Sequence, residues 1–349
     1  MRRAMVLIAA GAVALAAGVV GFTVGRTRSV PQPVETTLPA KVAQPEVGVT
    51  GVKPSSASTL PSTSPGASAL ATAADKPFAP LANAAASNST CSNPNALGVT
   101  RVVEIDTTGG PGFGFEHFKQ LDFLRDHEVV LTFDDGPWPT TPAVLKALAA
   151  ECVKAIFFPI GKHATYYPEI LRQVAAAGHT IGSHTWSHQN LMRAKSPDEA
   201  KAEIEKAISA VKWALEGQGQ EAPFFRFPAL QHPPEMVTYL GTRNIAIFST
   251  DMDSFDFKMR KPEQVVKSVM AKLQKHGKGI VLMHDFQKAT AEAVPQLLAE
   301  LKAGGYKIVH MKPRTAVSSL PQYDEELIKE TKLPTVSQRP ASSVVRELQ

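Results

Sequence analysis

Residues 128–137 read EVVLTFDDGP, an apolar run that ends in an acidic turn. The run 128–133 is too short for a helix and continuous enough for a strand that is buried on both faces. Asp134 and Asp135 follow it side by side, and two adjacent carboxylates repel each other unless a cation or a base partner is present. An ordinary Asp-Gly turn is the alternative interpretation.

Six further runs of the same kind follow along the chain. They are residues 154–160, 179–184, 224–228, 245–250, 279–284 and 306–311. Helical patterns separate them, with start signals at Thr141, Ser196 and Pro262 and a stop signal at Gly277. This alternation predicts an α/β fold with a parallel sheet and crossover helices. A closed barrel and an open doubly wound sheet both fit, but polar residues at the carboxyl ends of successive strands favour a (β/α) barrel.

The two ends of the chain have a different composition. Residues 1–28 combine an apolar run with flanking arginines, which fits either a cleaved signal peptide or a signal-anchor helix. We therefore expect an exported, periplasmic or extracytoplasmic protein, held at the inner membrane if the helix is not cleaved. Residues 29–92 are rich in Pro, Ser, Thr and Ala and are predicted to form a disordered linker. The folded domain is predicted to span residues 93–314, and residues 315–349 are predicted to be a disordered tail.

Charge and cysteine content bear on nucleic-acid binding and on a possible disulfide. The net charge of +5 includes four arginines of the leader, and no Lys/Arg cluster occurs elsewhere, which argues against nucleic-acid binding. Cys91 and Cys152 could form one disulfide in an oxidising compartment, or remain free thiols. The oligomeric state is left open.

Histidines and carboxylates at strand ends suggest a metal site. His184 and His188 are separated by three residues and can present two imidazoles to one metal ion if the segment turns helically. With a carboxylate they leave coordination positions open for water and substrate, which is the arrangement of catalytic zinc. Two unrelated surface histidines are the alternative.

Two more charged positions stand out in apolar surroundings. Arg226 lies inside an apolar run, where it is costly unless a carboxylate pairs with it, and Asp134 is the natural partner. His284 ends the run 279–284 and would share the rim of the barrel with the metal site. A histidine with a purely structural packing role is the alternative interpretation.

Five segments together resemble a known family. They are TFDDGP (132–137), HTWSH (184–188), RFPA (226–229), DSFDF (253–257) and LMH (282–284). In order and spacing they resemble the motifs of the polysaccharide deacetylases of carbohydrate esterase family 4, the NodB-homology domain, over about residues 128–311. The resemblance implies a distorted (β/α) barrel of about seven parallel strands. It also implies hydrolysis of N-acetyl groups on chitin-like or peptidoglycan substrates.

The resemblance also implies a role for individual residues. The general base is Asp134, oriented by Arg226, and the general acid is His284, supported by Asp256. The metal ligands are Asp135, His184 and His188. Positions beside the oxyanion or the substrate are Pro228, Ala229, Leu282 and Phe257. Two of these depart from the family pattern: Ala229 replaces the usual aromatic residue and Phe257 replaces a tryptophan, which affects the fit of the substrate rather than the metal chemistry.

The expected cofactor is one divalent metal ion, with zinc favoured and cobalt or nickel as alternatives. The expected substrate is a polysaccharide or oligosaccharide that contains N-acetylglucosamine, and the product is acetate. An O-acetyl ester deacetylase with the same fold is one alternative, and a membrane-tethered glycan-binding module with little activity is another. A serine hydrolase is disfavoured because no G-x-S-x-G segment occurs.

Overall fold

The computed structural model describes residues 91–333. The strands are β1 (Arg101–Ile105), β2 (Gly112–Phe113), β3 (Glu128–Asp134), β4 (Ile156–Phe158), β5 (Thr180–Ile181), β6 (Phe224–Phe225), β7 (Ala246–Phe248), β8 (Met252–Asp253), β9 (Gly279–His284) and β10 (Lys307–Pro313). The helices are α1 (Thr141–Ala150), α2 (Gly161–Tyr166), α3 (Pro168–Ala176), α4 (Pro197–Leu215), α5 (Pro234–Thr242), α6 (Pro262–His276), α7 (Lys288–Ala303) and α8 (Pro321–Thr331). The predicted leader and nearly all of the predicted linker lie outside the described residues.

The strands form a ring of parallel pairings around β3. On one side β3 pairs with β4, and β4 pairs with β5. A single bridge between Ser183 and Phe225 leads on to β6, which pairs with β7. The chain then runs from β7 into β8, which pairs with β9, and β9 pairs with the other side of β3. The predicted α/β fold with parallel strands is confirmed, and the interrupted ring is compatible with the predicted distorted barrel.

All seven predicted runs contain a strand, and three further strands were not predicted. The run 306–311 corresponds to β10, which pairs with β1 and with only two residues of β3, outside the ring. β2 and β8 are two residues long, so they have no periodicity that a sequence pattern could reveal. The burial of β1 alternates, as expected for a strand at the edge of the sheet.

Alternation of side chains along β3 places the first polar groups inside the ring. Val129, Leu131 and Phe133 pack in the hydrophobic cluster that includes residues of α1, α6 and α7. Val130 packs in the second cluster, with residues of β4, β6, β7 and β9. Because successive side chains of a strand point to opposite faces, Thr132 and Asp134 share the inner face with Val130.

Helix boundaries follow the predicted signals. The Ser196 side chain accepts a hydrogen bond of 3.1 Å from the N–H of Glu199 and caps α4. Gly277 ends α6 with φ +79°, a conformation that glycine adopts at little cost. Among the helices within residues 91–333, none is long and apolar enough to cross a membrane.

The C-terminal tail prediction is wrong for residues up to 333, because α8 occupies part of it. Leu327 is buried, and Lys206 of α4 forms ion pairs of 2.6 and 2.9 Å with Glu326 and Glu330. The N–H of Val317 also donates to the Glu221 carbonyl. The position of α8 depends on contacts with residues of α4, and the polar composition of the tail does not indicate such contacts. Residues 334–349 lie outside the described part of the chain.

Cys91 and Cys152 form a disulfide, so the paired alternative holds. Cys152 follows α1 and precedes β4, which places it at the amino ends of the strands. Asn93 and Leu97 strengthen the attachment through hydrogen bonds to the Ala150 carbonyl and the Glu151 carboxylate.

Replacing Cys91 and Cys152 by serine is expected to lower the free energy of unfolding by about 2–4 kcal/mol, because the loop they close gains freedom in the unfolded state. Denaturant unfolding monitored by circular dichroism measures the change. Reductant should destabilise the wild-type protein and leave the double variant unaffected. Equal stability of both proteins under oxidising conditions would contradict the prediction.

Candidate active site

A buried ion pair lies at the centre of the ring. Arg226 extends from the end of β6 and is fully buried, and its Nη1 donates to Asp134 Oδ1 at 2.7 Å. The same Nη1 donates to Thr132 Oγ1, and Nη2 donates to the Ser249 carbonyl. Burial raises the pKa of Asp134, and the positive charge of Arg226 opposes that rise. The predicted pairing of Arg226 with Asp134 is therefore present.

Asp135 faces away from this pair because of its backbone conformation. Its φ of +72° is in the left-handed region, which turns the second carboxylate out of the strand. Asp135 Oδ1 lies 3.5 Å from His184 Nε2 and 3.4 Å from His188 Nε2. The structure thus brings the three predicted metal ligands together, with one ligand atom of each within 4.8 Å of the others.

The chemistry of the three side chains fits a divalent cation. Asp135 Oδ1 is buried and has no hydrogen-bond partner among residues 91–333. Burial lowers the pKa of His184 to about 3, so its ring is neutral. His184 Nδ1 lies 2.7 Å from the Arg226 carbonyl, which fixes the proton there and leaves the Nε2 lone pair directed at Asp135. Without a cation, this cluster would leave a buried acceptor unsatisfied.

His284 lies near the other carboxylate oxygen of Asp135, the one that does not face His184 and His188. Its Nδ1 lies 2.7 Å from Asp256 Oδ1, and its Nε2 lies 3.9 Å from Asp135 Oδ2. Asp256 is fully buried and also accepts hydrogen bonds from the backbone N–H of His284 and from Thr290 Oγ1. Burial alone would lower the pKa of His284, but the hydrogen bond and charge of Asp256, with the charges of Asp135 and Asp134, raise it to about 9. The imidazole is therefore protonated at neutral pH.

A cleft of about 1100 Å³ opens over these groups. Ala229, Leu282 and Phe257 line it, together with Asp134, Asp135, His184, His188 and His284. Ala229 adopts φ +53° and ψ +23°, and Phe257 is 47% exposed with its ring edge-on to His284. Pro228 differs from the prediction: it is buried and does not line the cleft, because the left-handed turn after it presents Ala229 instead.

Three residues contact the site without having been predicted to do so. The His163 Nδ1 lies 2.6 Å from the Asp135 carbonyl. Thr132 accepts a hydrogen bond from Arg226 Nη1, and in the predicted run 128–133 it is a polar residue between Leu131 and Phe133. Asp285 is fully buried behind Gly136, where a Cβ atom would lie 2.3 Å from its Oδ2. Burial raises the pKa of Asp285 to about 7. No spacing pattern marks His163 or Asp285, because each reaches the site through the fold.

Carboxylates and histidines meet at the carboxyl ends of parallel strands, and three of them could hold a metal ion, an arrangement typical of metal-dependent hydrolases. The family model described as polysaccharide deacetylase matches residues 124–245. A chitooligosaccharide deacetylase of Azorhizobium caulinodans is 33% identical over 161 residues, which are 45% of this chain and 73% of the relative. The chain belongs to the polysaccharide deacetylase family.

Two other similarities agree with this assignment. A peptidoglycan-N-acetylglucosamine deacetylase of Listeria monocytogenes is 34% identical over 188 residues, which are 52% of this chain. The match spans only 37% of the length of that relative. The solved structure of a peptidoglycan deacetylase of Bdellovibrio bacteriovorus has a TM-score of 0.55 and 35% identity, and the match covers 62% of this chain and 59% of the other.

Replacing Arg226 by methionine is expected to lower the free energy of unfolding by about 3–5 kcal/mol, because it leaves the Asp134 carboxylate buried without a partner. Denaturant titration at neutral pH measures the loss. Replacing Asp134 by leucine in the same chain should restore much of it, because the uncompensated charge is then gone. Additive losses in the double variant would show that the two side chains do not act as a pair.

Proposed function

We propose that this protein hydrolyses the N-acetyl groups of N-acetylglucosamine residues in a cell-envelope or chitin-like glycan and releases acetate. The observation that supports it best is the arrangement around Asp135. A buried carboxylate held by Arg226 lies on one side, and a protonated histidine held by Asp256 lies on the other. Base and acid therefore flank the place where a cation and an acetamide would meet.

The carboxylate of Asp134 is the proposed base. Its Oδ1 is occupied by Arg226, and its Oδ2 lies 4.0 Å from His184 Nε2, on the side of the metal ligands. Oδ2 therefore accepts the proton of the water that attacks the acetamide carbon. A cation held by Asp135, His184 and His188 would polarise the carbonyl and make that water more acidic.

His284 is the proposed acid. Its Nδ1 is engaged by Asp256, so Nε2 carries the proton that faces the cleft. Nε2 donates this proton to the amine nitrogen as the carbon–nitrogen bond breaks, and acetate and a free glucosamine amine result. The backbone N–H of Ala229, at the cleft wall, is the proposed donor to the oxyanion that forms during the attack.

The proposed cofactor is one zinc ion. Two imidazoles and one carboxylate are a frequent ligand set for catalytic zinc, and the same set also binds cobalt or nickel. The substrate class comes from the relatives, which are named for peptidoglycan and for chitooligosaccharides. Such substrates lie outside the cytoplasm, in agreement with the export predicted from residues 1–28.

Acetate release by the purified full-length chain from chitin oligomers and from peptidoglycan tests the proposal. Chelator is expected to abolish release, added zinc to restore it, and Asp134→Asn to lower kcat by at least about 100-fold through loss of the base. Acetylated xylan is the matched ester substrate. Release from xylan alone would replace the proposal by ester hydrolysis, and no release from any substrate by a folded, zinc-loaded protein would favour a glycan-binding module.

The pH dependence of kcat/KM tests the role of His284. Loss of its proton should produce a basic limb, because the hydrogen bond and the charge of Asp256 raise the pKa of His284. Asp256→Asn removes the hydrogen bond and the charge that raise this pKa, so the basic limb should move to lower pH. Asp324→Asn, an equivalent change on α8, should leave it in place. An unmoved limb in Asp256→Asn would exclude His284 as the acid.

A further inference from the structure

The loop that carries both histidine ligands, residues 184–188, has a strained backbone. Thr185 and His188 adopt φ values of +61° and +60°, in the left-handed region that residues with a Cβ rarely occupy. Conformations of this kind persist only where surrounding groups enforce them. The hydrogen bonds around the loop therefore determine where the two imidazoles stand.

The two histidines are held in different ways. His184 is buried, and its ring is fixed by the bond between Nδ1 and the Arg226 carbonyl. The side chain of His188 is 41% exposed. Among residues 91–333, no hydrogen bond to its Nδ1 fixes the orientation of the ring. Because a ligand ring without such a bond depends on its backbone for orientation, the neighbours of His188 become important.

Helix α4 holds the residues on both sides of His188. Glu203 Oε2 accepts from the Ser187 N–H at 2.9 Å, and Glu203 Oε1 accepts from the Ser187 hydroxyl at 2.9 Å. One turn earlier on the same face of α4, Glu199 Oε1 accepts from Gln189 Nε2 at 3.3 Å. The bonds to Glu203 are shorter and include one to the backbone.

Backbone bonds complete the attachment around Trp186. Its N–H donates to the Glu203 carbonyl at 2.7 Å, and its carbonyl accepts from the Lys162 N–H at the start of α2. Gly161 accommodates the Trp186 ring, since a Cβ there would lie 2.8 Å from the ring carbon Cε3. The loop is thus fixed between α2 and α4, and Glu203 supplies three of its contacts, two of them through the carboxylate.

We propose that Glu203 is a positioning residue for the metal site, and that its carboxylate, by holding Ser187, directs His188 Nε2 towards Asp135. Glu203 does not touch the cation or the substrate. The inference rests on the metal-binding part of the proposed function and not on the identity of the glycan. Two substitutions distinguish the hydrogen bonds of Glu203 from its negative charge. A glutamine at 203 can accept from the Ser187 N–H and donate to the Ser187 oxygen, whereas an alanine can do neither.

The test is the zinc affinity of the full-length chain, measured without substrate by competition with a chromogenic chelator. Glu203→Ala is expected to weaken zinc binding on the order of 10- to 100-fold, as removal of an outer partner of a metal ligand does. Glu203→Gln should retain most of the affinity. Ser187→Ala keeps the backbone bond and should lie between the two.

Two matched controls exclude indirect effects. Asp198→Asn removes a negative charge from α4 at a side chain that is 92% exposed, and should leave zinc affinity unchanged. Leu327→Ala loosens α8 against α4 and should lower the unfolding temperature without weakening zinc binding.

Wild-type affinity in a folded Glu203→Ala protein would overturn the inference, as would an equal loss of affinity in Leu327→Ala. An equal loss in Glu203→Gln and Glu203→Ala would also overturn it, because charge rather than geometry would then be responsible. Tight zinc binding by the wild-type chain without acetate release would refute the deacetylase proposal and leave the role of Glu203 standing.

Discussion

The guanidinium of Arg226 is the group on which both the fold and the site depend. Besides Asp134 and Thr132 of β3 it contacts the Ser249 carbonyl just after β7, and it stacks on the Phe158 ring of β4 at 4.5 Å. One side chain from the end of β6 therefore joins strands on three sides of the ring. A charge at this depth is tolerated only with a carboxylate against it, so the position of the proposed base is fixed by the requirement to bury the arginine.

Two neighbouring carboxylates acquire different roles through their surroundings. Asp134 continues the strand and points into the ring, where it meets a permanent cation. Asp135 turns out of the strand with a positive φ and faces the Nε2 atoms of His184 and His188. Gly136 then brings the chain so close to Asp285 that no side chain would fit. Adjacent residues of one type thus come to differ in burial and in partners: Asp134 pairs with Arg226, and Asp135 faces His184 and His188.

The sequence was sufficient for the features that depend on local pattern. All seven strand runs, the capping signal at Ser196 and the stop at Gly277 follow from composition and spacing, and the motif residues meet at one rim because parallel strands end there. Features that depend on contacts between residues far apart in the chain could not be predicted from the sequence. The helix α8 is stabilised by Lys206, a residue more than a hundred positions away, and the contacts of Glu203 with Ser187 connect a helix face to a loop with no shared motif.

Pairing of Cys91 with Cys152 places the entry of the chain into the domain at the amino ends of the strands, whereas the cleft lies at their carboxyl ends. The bond attaches residue 91 covalently to the segment between α1 and β4. Neither of the two cysteines lines the cleft. Force transmitted through residue 91 would act first on the segment that follows α1, and not on the side chains that line the cleft.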